Sequence, residues 1–315
     1  MRKNERFNEG KALGTDTKFR ITDIFRKLIT ADLQSGRYQD CRLIIGFLLG
    51  LSNGFAIITA QKFGAKNIAD MKKSFAMSLV IGTGISILFT IAGLLFLKPI
   101  LHFLNVPKHL VPVAKGYIAI IIAGLLATFL YDACAATLRA IGDAVTPLII
   151  LAISVALNIV GDLFFVVVLK TGVKGAAIAT VLAQIIAFVI CWIYMIRKYE
   201  ILRLQKEDFK DPSPIMVKEM ISAGMSMGFM SSLVNIGTLT LQTAINKLGK
   251  DIIIAHTAAR KISEIFMIMF SVFGHTMATY CGQNMGAGKI DRVKRGIWLA
   301  IVYTAIWSGL TIIAS

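Results

Sequence analysis

A chain of 315 residues in which 56% are hydrophobic and 17% are charged is more apolar than a soluble globular domain, which indicates a polytopic membrane protein. Its net charge of +16 comes from basic residues that lie between apolar segments and not along one face, which argues against a nucleic-acid-binding protein. Phosphate-binding loops and zinc-protease motifs do not occur in the sequence, and we expect neither an enzyme nor a cofactor.

The apolar segments are long enough to cross a membrane as helices. A bilayer with an apolar layer of about 30 Å requires about 20 residues of helix. Eight segments reach or approach this length, which predicts an all-α bundle of about eight transmembrane helices. These segments cover residues 43–60, 74–97, 116–138, 147–169, 175–196, 219–245, 252–280 and 296–314.

The first 42 residues differ in character from the rest of the chain. Residues 1–42 are polar and basic, and they predict a segment outside the membrane that is either a short amphipathic surface helix or disordered. In the apolar segment that comes next, Gly46, Gly50 and Gly54 recur every four residues and therefore share one helix face. Small residues at this spacing predict close contact with a neighbouring helix.

A five-residue motif, Gln-x-x-Gly-Ala, ends an apolar segment at residues 61–65 and again at residues 283–287, 222 positions later. A repeat of this length indicates a duplicated domain, which is a common construction of secondary transporters. Two full copies would take about 444 residues, so we expect both copies to be incomplete in this chain. Gly64 and Gly286 are expected to form the tight turn that comes after each helix.

The loops differ in charge in a way that predicts the orientation of the chain. Lys and Arg are concentrated in the loops at 62–73, 197–218 and 289–295, whereas the loops on the opposite side hold fewer. The positive-inside rule therefore places these three loops, with both copies of the motif, in the cytoplasm. The charged loop at 197–218 contains Pro212 and Pro214 and is the predicted linker between the two copies.

The chain resembles the MATE (multidrug and toxin extrusion) family over roughly residues 43–315. The resemblance implies two lobes of six helices each, in which residues 43–196 form helices two to six and residues 219–315 form helices seven to nine. On this comparison we expect the bundle to be incomplete, with the first helix and the last three lacking. Five segments in the family's order and spacing carry the resemblance: GLSNGFAIITAQKFGA (50–65), LRAIGDAVTP (138–147), ALNIVGD (156–162), GVKGAAIATVLAQ (172–184) and GQNMGAG (282–288).

The resemblance also implies a function and a location. MATE proteins are multi-pass proteins of the cell membrane that export cationic or amphiphilic drugs in exchange for H⁺ or Na⁺. We therefore expect an antiporter that contacts small-molecule drugs and membrane lipid and uses H⁺ or Na⁺ as its coupling ion. The sequence identifies no protein partner. Two alternatives stay open: a flippase for lipid-linked oligosaccharides from the related superfamily, and a truncated remnant that inserts into the membrane without transport.

Asp162 is the strongest candidate for an ion-binding residue. It lies in the apolar segment 147–169, where a carboxylate costs about 2.5–3.5 kcal/mol, and Asn158 precedes it by one turn on the same face. Carboxylate and carboxamide oxygens suit Na⁺ or an exchangeable proton. The resemblance implies the same role, because Asn158 and Asp162 match the family's helix-five pair and Thr180 matches a third member of its ion site. Apart from Na⁺ at Asp162, no metal is expected.

An alternative interpretation of this group is structural. Asn158 and Asp162 could hold two helices together or cap a short break near Gly161. The family's ion site also includes an Asp on the first helix, and that helix has no counterpart in this sequence.

Four further polar residues in apolar segments are candidates for cargo binding or for lining a cavity. Their alternative role is hydrogen bonding between helices. For Glu264 we also expect an ion pair with Arg260, which precedes it by one helical turn. The four candidates are Asp132, Gln184, Asn235 and Glu264.

Overall fold

The computed structural model describes residues 39–97, 99, 111–245 and 250–314. The polar segment predicted at residues 1–42 lies outside this range except for its last four residues, which begin the first helix. The helices are α1 (Gln39–Gly64), α2 (Ile68–Leu95), α3 (Val111–Ala123), α4 (Leu125–Ala140), α5 (Val145–Asp162), α6 (Val173–Lys198), α7 (Pro214–Ile245), α8 (Lys250–Gly286) and α9 (Ile290–Ala314).

The predicted fold class, an all-α membrane bundle, is confirmed for the described residues. Within them, six helices are long and apolar enough to cross a membrane, and the bent pair of α3 and α4 makes a seventh. The eighth predicted span, residues 219–245, forms most of α7. This helix is long enough to cross a membrane, but its mean hydropathy is lower than that of the six spans because Ser, Gly, Thr and Asn interrupt its apolar residues.

The span predicted as one helix at 116–138 is bent by 41° where α3 meets α4. Gly124 separates the two helices, and its N–H donates to the carbonyl groups of both Ile120 and Ile121 at 3.0 Å. A Cβ atom at this position would lie 3.0 Å from Cγ1 of Val181 on α6 and closer still to its other methyl group. A glycine here therefore allows both the bend and the close approach of α6.

The predicted linker at 197–218 begins as part of the folded bundle. Leu202, at the end of a 3₁₀ turn (Glu200–Leu202), is fully buried in a cluster formed by residues of α2, α4, α5 and α6. Further along, Lys73 Nζ on α2 donates a hydrogen bond to the carbonyl oxygen of Asp211 at 3.3 Å. The many charged residues of this segment predicted that it contacts solvent, but they did not predict that Leu202 is buried in the bundle.

The glycine face of α1 packs directly on α7. A Cβ atom on Gly50 would lie 2.7 Å from the carbonyl carbon of Met227 and 2.8 Å from Cα of Gly228. A Cβ atom on Gly54 would lie 2.7 Å from the carbonyl carbon of Ala223. Real Cβ atoms do not approach backbone this closely, so the sequence prediction of close helix contact is confirmed and α7 is the partner.

The two copies of the repeated motif end their helices with the same hydrogen bonds. After α1, the N–H of Lys66 donates to Phe63 at 2.9 Å and the N–H of Asn67 donates to Lys62 at 3.0 Å. After α8, the corresponding bonds run from Gly288 to Met285 at 3.0 Å and from Lys289 to Asn284 at 2.8 Å. Such paired bonds satisfy carbonyl groups that a helix C-terminus would otherwise leave open.

The expected role of the two motif glycines in the turn is wrong. The left-handed backbone of each turn is at Lys66 (φ 58°) and at Gly288 (φ 69°), two residues after Gly64 and Gly286. The motif glycines instead contact each other's helices. A Cβ atom on Gly64 would lie 2.7 Å from the carbonyl carbon of Gln283, and one on Gly286 would lie 2.7 Å from that of Gln61.

This reciprocal contact, which we call the motif crossing (residues 61–65 and 283–287), joins the two copies at one end of the bundle. Gly282 adds to it, since a Cβ atom there would lie 3.2 Å from Cβ of Ala60. Gln283 Nε2 donates to the carbonyl oxygen of Ala140 on α4 at 2.7 Å. The repeat thus marks a point of contact between the copies and not only a shared loop.

Candidate ion-binding site

Asp162 is the last residue of α5, and the chain continues without a break into a π-helical segment, Leu163–Val168. One form of the structural alternative, a cap on a short break near Gly161, therefore has no break to cap, whereas the other form, a link between two helices, stays open. Wider turns of this kind occur often at functional sites because they alter where side chains and carbonyl groups point.

The structure brings two of the three predicted ion ligands together. Asn158 Nδ2 on α5 donates to Thr180 Oγ1 on α6 at 3.1 Å, and the Thr180 hydroxyl donates to the carbonyl oxygen of Ala176 at 3.0 Å. The two helices approach closely beside them, since a Cβ atom on Gly161 would lie 2.9 Å from Cβ of Ala179. The small residues therefore set the distance at which the polar side chains meet.

The carboxylate of Asp162 carries an unsatisfied oxygen. Its Oδ1 is shielded from solvent and has no hydrogen-bond partner among the described residues, and the ion pairs of these residues do not include Asp162. Leaving a buried acceptor unpaired costs about 1–3 kcal/mol, and more when the group is charged. A proton or a cation at this oxygen would remove that cost, so the geometry suits the chemistry inferred from the sequence.

Gln184 lies on the same face of α6 as Thr180, one turn further along. Its Oε1 is also buried and has no hydrogen-bond partner among the described residues. One turn before Asn158, Ser154 Oγ donates to the carbonyl oxygen of Ala183 at 3.2 Å. Polar groups therefore line two further turns of the α5–α6 contact, and Ser154 is a member that the sequence alone did not indicate.

Asp132 occupies a different environment, on α4 towards the motif crossing. Arg139 follows it by seven residues on the same helix. Arg139 in turn donates to Asn53 Oδ1 on α1 at 3.2 Å. The two roles predicted for Asp132, an internal polar contact or cargo binding, both stay predictions. Asn53 was missed by the sequence reasoning, because its partner is 86 residues away in the chain.

The remaining two candidates lie on the other copy. Glu264 on α8 accepts a hydrogen bond from Arg260 Nε at 3.1 Å, which confirms the predicted ion pair. Asn235 on α7 donates to the carbonyl oxygen of Ser231 at 3.0 Å and packs against Gly46 of α1. Both belong to helices other than the pair that carries Asp162.

Comparisons with known proteins agree with this architecture. The MatE family model matches residues 41–164. The probable multidrug resistance protein YpnP of Bacillus subtilis (strain 168) is 31% identical over 254 residues, which cover 79% of this chain and 56% of YpnP. This chain belongs to the MATE family. A second relative in the same organism, the probable multidrug resistance protein YoeA, is 26% identical over 271 residues, covering 82% of this chain and 58% of that protein.

Solved structures show the same fold. An outward-facing multidrug resistance MATE transporter of the MOP superfamily superposes with a TM-score of 0.79 at 21% identity, covering 88% of this chain and 61% of that one. A MOP superfamily transporter from Pyrococcus furiosus Vc1 gives 0.78 at 20% identity, again over 88% and 61%. The chain thus spans somewhat more than half the length of the relatives it matches. MATE proteins are transporters, not enzymes, and the apolar helices make this chain a multi-pass protein of the cell membrane.

Proposed function

We propose that this MATE-family protein exports cationic or amphiphilic small molecules across the cell membrane in exchange for H⁺ or Na⁺. Its relatives in Bacillus subtilis are probable multidrug resistance proteins, which supports the cargo class. The observation that carries the coupling is the Asp162 Oδ1 atom, which is buried in a membrane-spanning helix pair without a hydrogen-bond partner among the described residues.

Three side chains would hold the coupling ion. Asp162 supplies the negative charge, and Thr180 supplies a hydroxyl oxygen. Asn158 donates a hydrogen bond from its NH₂ group to Thr180, and this bond does not use its amide oxygen, which is the atom that would bind a cation. Oxygen ligands of this kind suit Na⁺, and the carboxylate alone can hold a proton. Either ion would neutralise the charge of this partly buried carboxylate.

Ion binding would drive export only if the ion has different affinities for the two conformations of the transporter. The motif crossing is one of two places where the copies contact each other through their backbones, the other being the contact of α1 with α7. The crossing lies at the end that the positive-inside rule assigns to the cytoplasm, so it has to open for the cytoplasmic side to open. The ion site lies wholly on α5 and α6 of the first copy. Coupling therefore requires that ion binding at this site changes the free energy of opening the motif crossing, which lies on α1 and α8.

The ion-binding part of this proposal can be tested on the purified chain. Thermal unfolding in detergent would be measured over a pH series in NaCl and in KCl, for the natural protein and for Asp162→Asn. A ligand present at 100 times its dissociation constant stabilises a protein by about 2.7 kcal/mol, so a saturating coupling ion should raise the unfolding temperature measurably. We expect Asp162→Asn to abolish the Na⁺-dependent or pH-dependent shift.

The matched control is Ser154→Ala, which removes a polar contact between the same two helices and leaves the carboxylate in place. It should lower stability slightly while the ion-dependent shift persists. If the natural protein and Asp162→Asn respond identically to Na⁺ and to pH, Asp162 is not the ion site.

The cargo part of the proposal needs a transport measurement. Proteoliposomes that contain the chain would be loaded with ethidium, and an inward proton gradient or sodium gradient would be imposed. We expect one of the two gradients to accelerate ethidium release. Release that is equal with and without a gradient would contradict coupled export, even if ion binding at Asp162 has been demonstrated.

A further inference from the structure

We propose that a groove on the cytoplasmic end of α6 binds an anionic glycerophospholipid, with its phosphate at Arg197 and Lys198 and an acyl chain along Ile190 and Ile193. This site is separate from the ion site and does not depend on the transport proposal. It lies on the side of the membrane that the distribution of basic residues assigns to the cytoplasm.

The groove is an open, shallow depression of about 450 Å³ on the surface of α6, so a ligand bound there would stay partly exposed to the surrounding lipid. Five residues of α6 line it, and their spacing places them on one helix face over two turns. At a rise of 1.5 Å per residue this face is about 12 Å long. The lining residues, in chain order, are Ile190, Ile193, Tyr194, Arg197 and Lys198.

The polarity of this face changes along its length. Its first part is aliphatic, with Ile193 exposed to 41%. Tyr194 comes next, at the level where aromatic side chains favour the membrane–water interface. Two cations complete the face at the C-terminus of the helix. A phospholipid has the same order of groups, from apolar chain to charged phosphate, so the groove and the ligand match in polarity as well as in charge.

Lys198 is held in position before any lipid arrives. Its Nζ bonds to the Tyr194 hydroxyl, lies 5.4 Å from the centroid of the Tyr199 ring, and is 3.9 Å from Asp143 Oδ2. Cations over aromatic faces are attracted by the ring. A side chain fixed in this way loses less conformational entropy on binding than a free lysine.

Asp143 fixes this arrangement as a charged group. Partial burial opposes its ionisation, but hydrogen bonds from the backbone N–H and hydroxyl of Thr146 and from the Tyr199 hydroxyl (2.7 Å), with the charge of Lys198, lower the pKa of the Asp143 carboxyl. The carboxylate is therefore ionised at neutral pH and offsets one of the two positive charges. Arg197 supplies the remaining charge, and its planar guanidinium can donate two parallel hydrogen bonds to one phosphate.

The test is native mass spectrometry of the full chain in detergent. Phosphatidylglycerol, phosphatidylcholine and inorganic phosphate would be titrated in separate arms. We expect saturable retention of one phosphatidylglycerol and much weaker retention of phosphatidylcholine. Basic residues near a membrane surface contribute about 1 kcal/mol each, so Arg197→Gln with Lys198→Gln should raise the apparent dissociation constant about thirtyfold.

The control variant is Arg292→Gln with Lys294→Gln, an exposed basic pair at the start of α9. It should change the dissociation constant less than threefold. An equal loss of phosphatidylglycerol affinity in both double variants would overturn the proposal, because diffuse surface charge would then explain the binding. Equal binding of phosphatidylcholine would also overturn it, because the groove would not be selective for an anionic headgroup. Binding of inorganic phosphate as tight as that of the lipid would also overturn it.

Two single variants separate lipid binding from misfolding. Arg197→Gln leaves the Lys198, Tyr199 and Asp143 network intact and should still raise the dissociation constant about fivefold. Ile193→Asn removes part of the apolar end and should weaken phosphatidylglycerol binding in a correctly folded protein, as judged by an unchanged elution profile. Unchanged lipid binding in both variants would contradict the site.

Discussion

The two helices that end in the repeated motif, α1 and α8, have the same C-terminal conformation but are buried to different extents. In the most apolar stretch of α1, 61% of the residues are buried within the protein, whereas in α8 only 6% are. The hydrogen bonds that end the two helices are nevertheless equivalent, residue for residue. The motif therefore determines the local conformation and the crossing, and it does not determine how much of each helix is buried.

The helix residues that precede the motif also differ between the two copies. The face of α1 that packs on α7 is formed by Gly46, Gly50 and Gly54. At the same offset of 222 residues, α8 carries Ile268, Val272 and Thr276, of which Ile268 and Val272 are 59% and 51% exposed. Glycine allows helix axes to approach until their backbones touch, whereas large aliphatic side chains prevent this. The duplicated helices have thus diverged in the face that they present to neighbours.

The largest effect is expected at the glycine face of α1. Gly50→Leu would place a whole side chain where even Cβ lies 2.8 Å from Cα of Gly228. Overpacking usually costs about 1–3 kcal/mol, and a clash with backbone costs more, so we expect about 3 kcal/mol or more. The corresponding change on α8, Val272→Leu, should alter stability by less than about 0.5 kcal/mol because that position is exposed.

Thermal unfolding of both variants in the same detergent measures this contrast. Similar losses at the two positions would show that both copies of the helix are packed alike, and the contrast between α1 and α8 would not hold.

The next effect concerns the crossing itself. Gly64→Ala and Gly286→Ala each push a methyl group into the opposite backbone, so each should destabilise the protein by about 1–3 kcal/mol. Because both changes act on one contact, the double variant should lose clearly less than the sum of the two single losses. A double-mutant cycle from denaturant or thermal unfolding gives the coupling energy.

Gly274→Ala provides the reference for this cycle. Gly274 lies within α8, and a Cβ atom there would meet nothing within 4 Å. A helix gains about 0.5–1 kcal/mol when alanine replaces an interior glycine, so this variant should be more stable than the natural protein. Strict additivity of the two crossing variants would mean that the motifs do not share a contact.

The smallest effect is expected in the turns after the motifs. Lys66 and Gly288 occupy equivalent left-handed positions, which cost a non-glycine residue about 1–2 kcal/mol. Gly288→Lys should therefore destabilise the protein by about 1 kcal/mol, while Lys66→Gly should be neutral or slightly stabilising, since the relief of strain is offset by the flexibility of glycine in the unfolded chain. Unfolding temperatures that shift in the same direction would show that the two turns are not equivalent.

The sequence predicted the helices and their faces better than it predicted their partners. Periodicity identifies which residues share a helix face, as with Gly46, Gly50 and Gly54, but the partner α7 lies about 170 or more residues away and no local pattern indicates it. The same limit explains why the buried anchor Leu202 was missed within a charged segment. Its burial depends on apolar side chains of four other helices, which are distant in the sequence.

The candidate site shows a similar division. An acid within an apolar segment singled out Asp162, and its spacing from Asn158 placed both on one face, which the helix α5 confirms. The contact of Asn158 with Thr180 followed from the family resemblance, because the two residues lie on different helices. The π-helical segment after Asp162 was not predicted, since its residues are a run of aliphatic and aromatic side chains that fit an α-helix equally well.

Whether a coupling cation binds at Asp162 can be decided by infrared difference spectroscopy of the purified protein. Spectra would be recorded on lowering the pH and on replacing Na⁺ by K⁺, for the natural protein, Asp162→Asn and Ser154→Ala. We expect a carboxyl band that changes with one of these ions in the natural protein and in Ser154→Ala and that is missing in Asp162→Asn. The same ion-dependent band in all three proteins would contradict cation binding at this carboxylate.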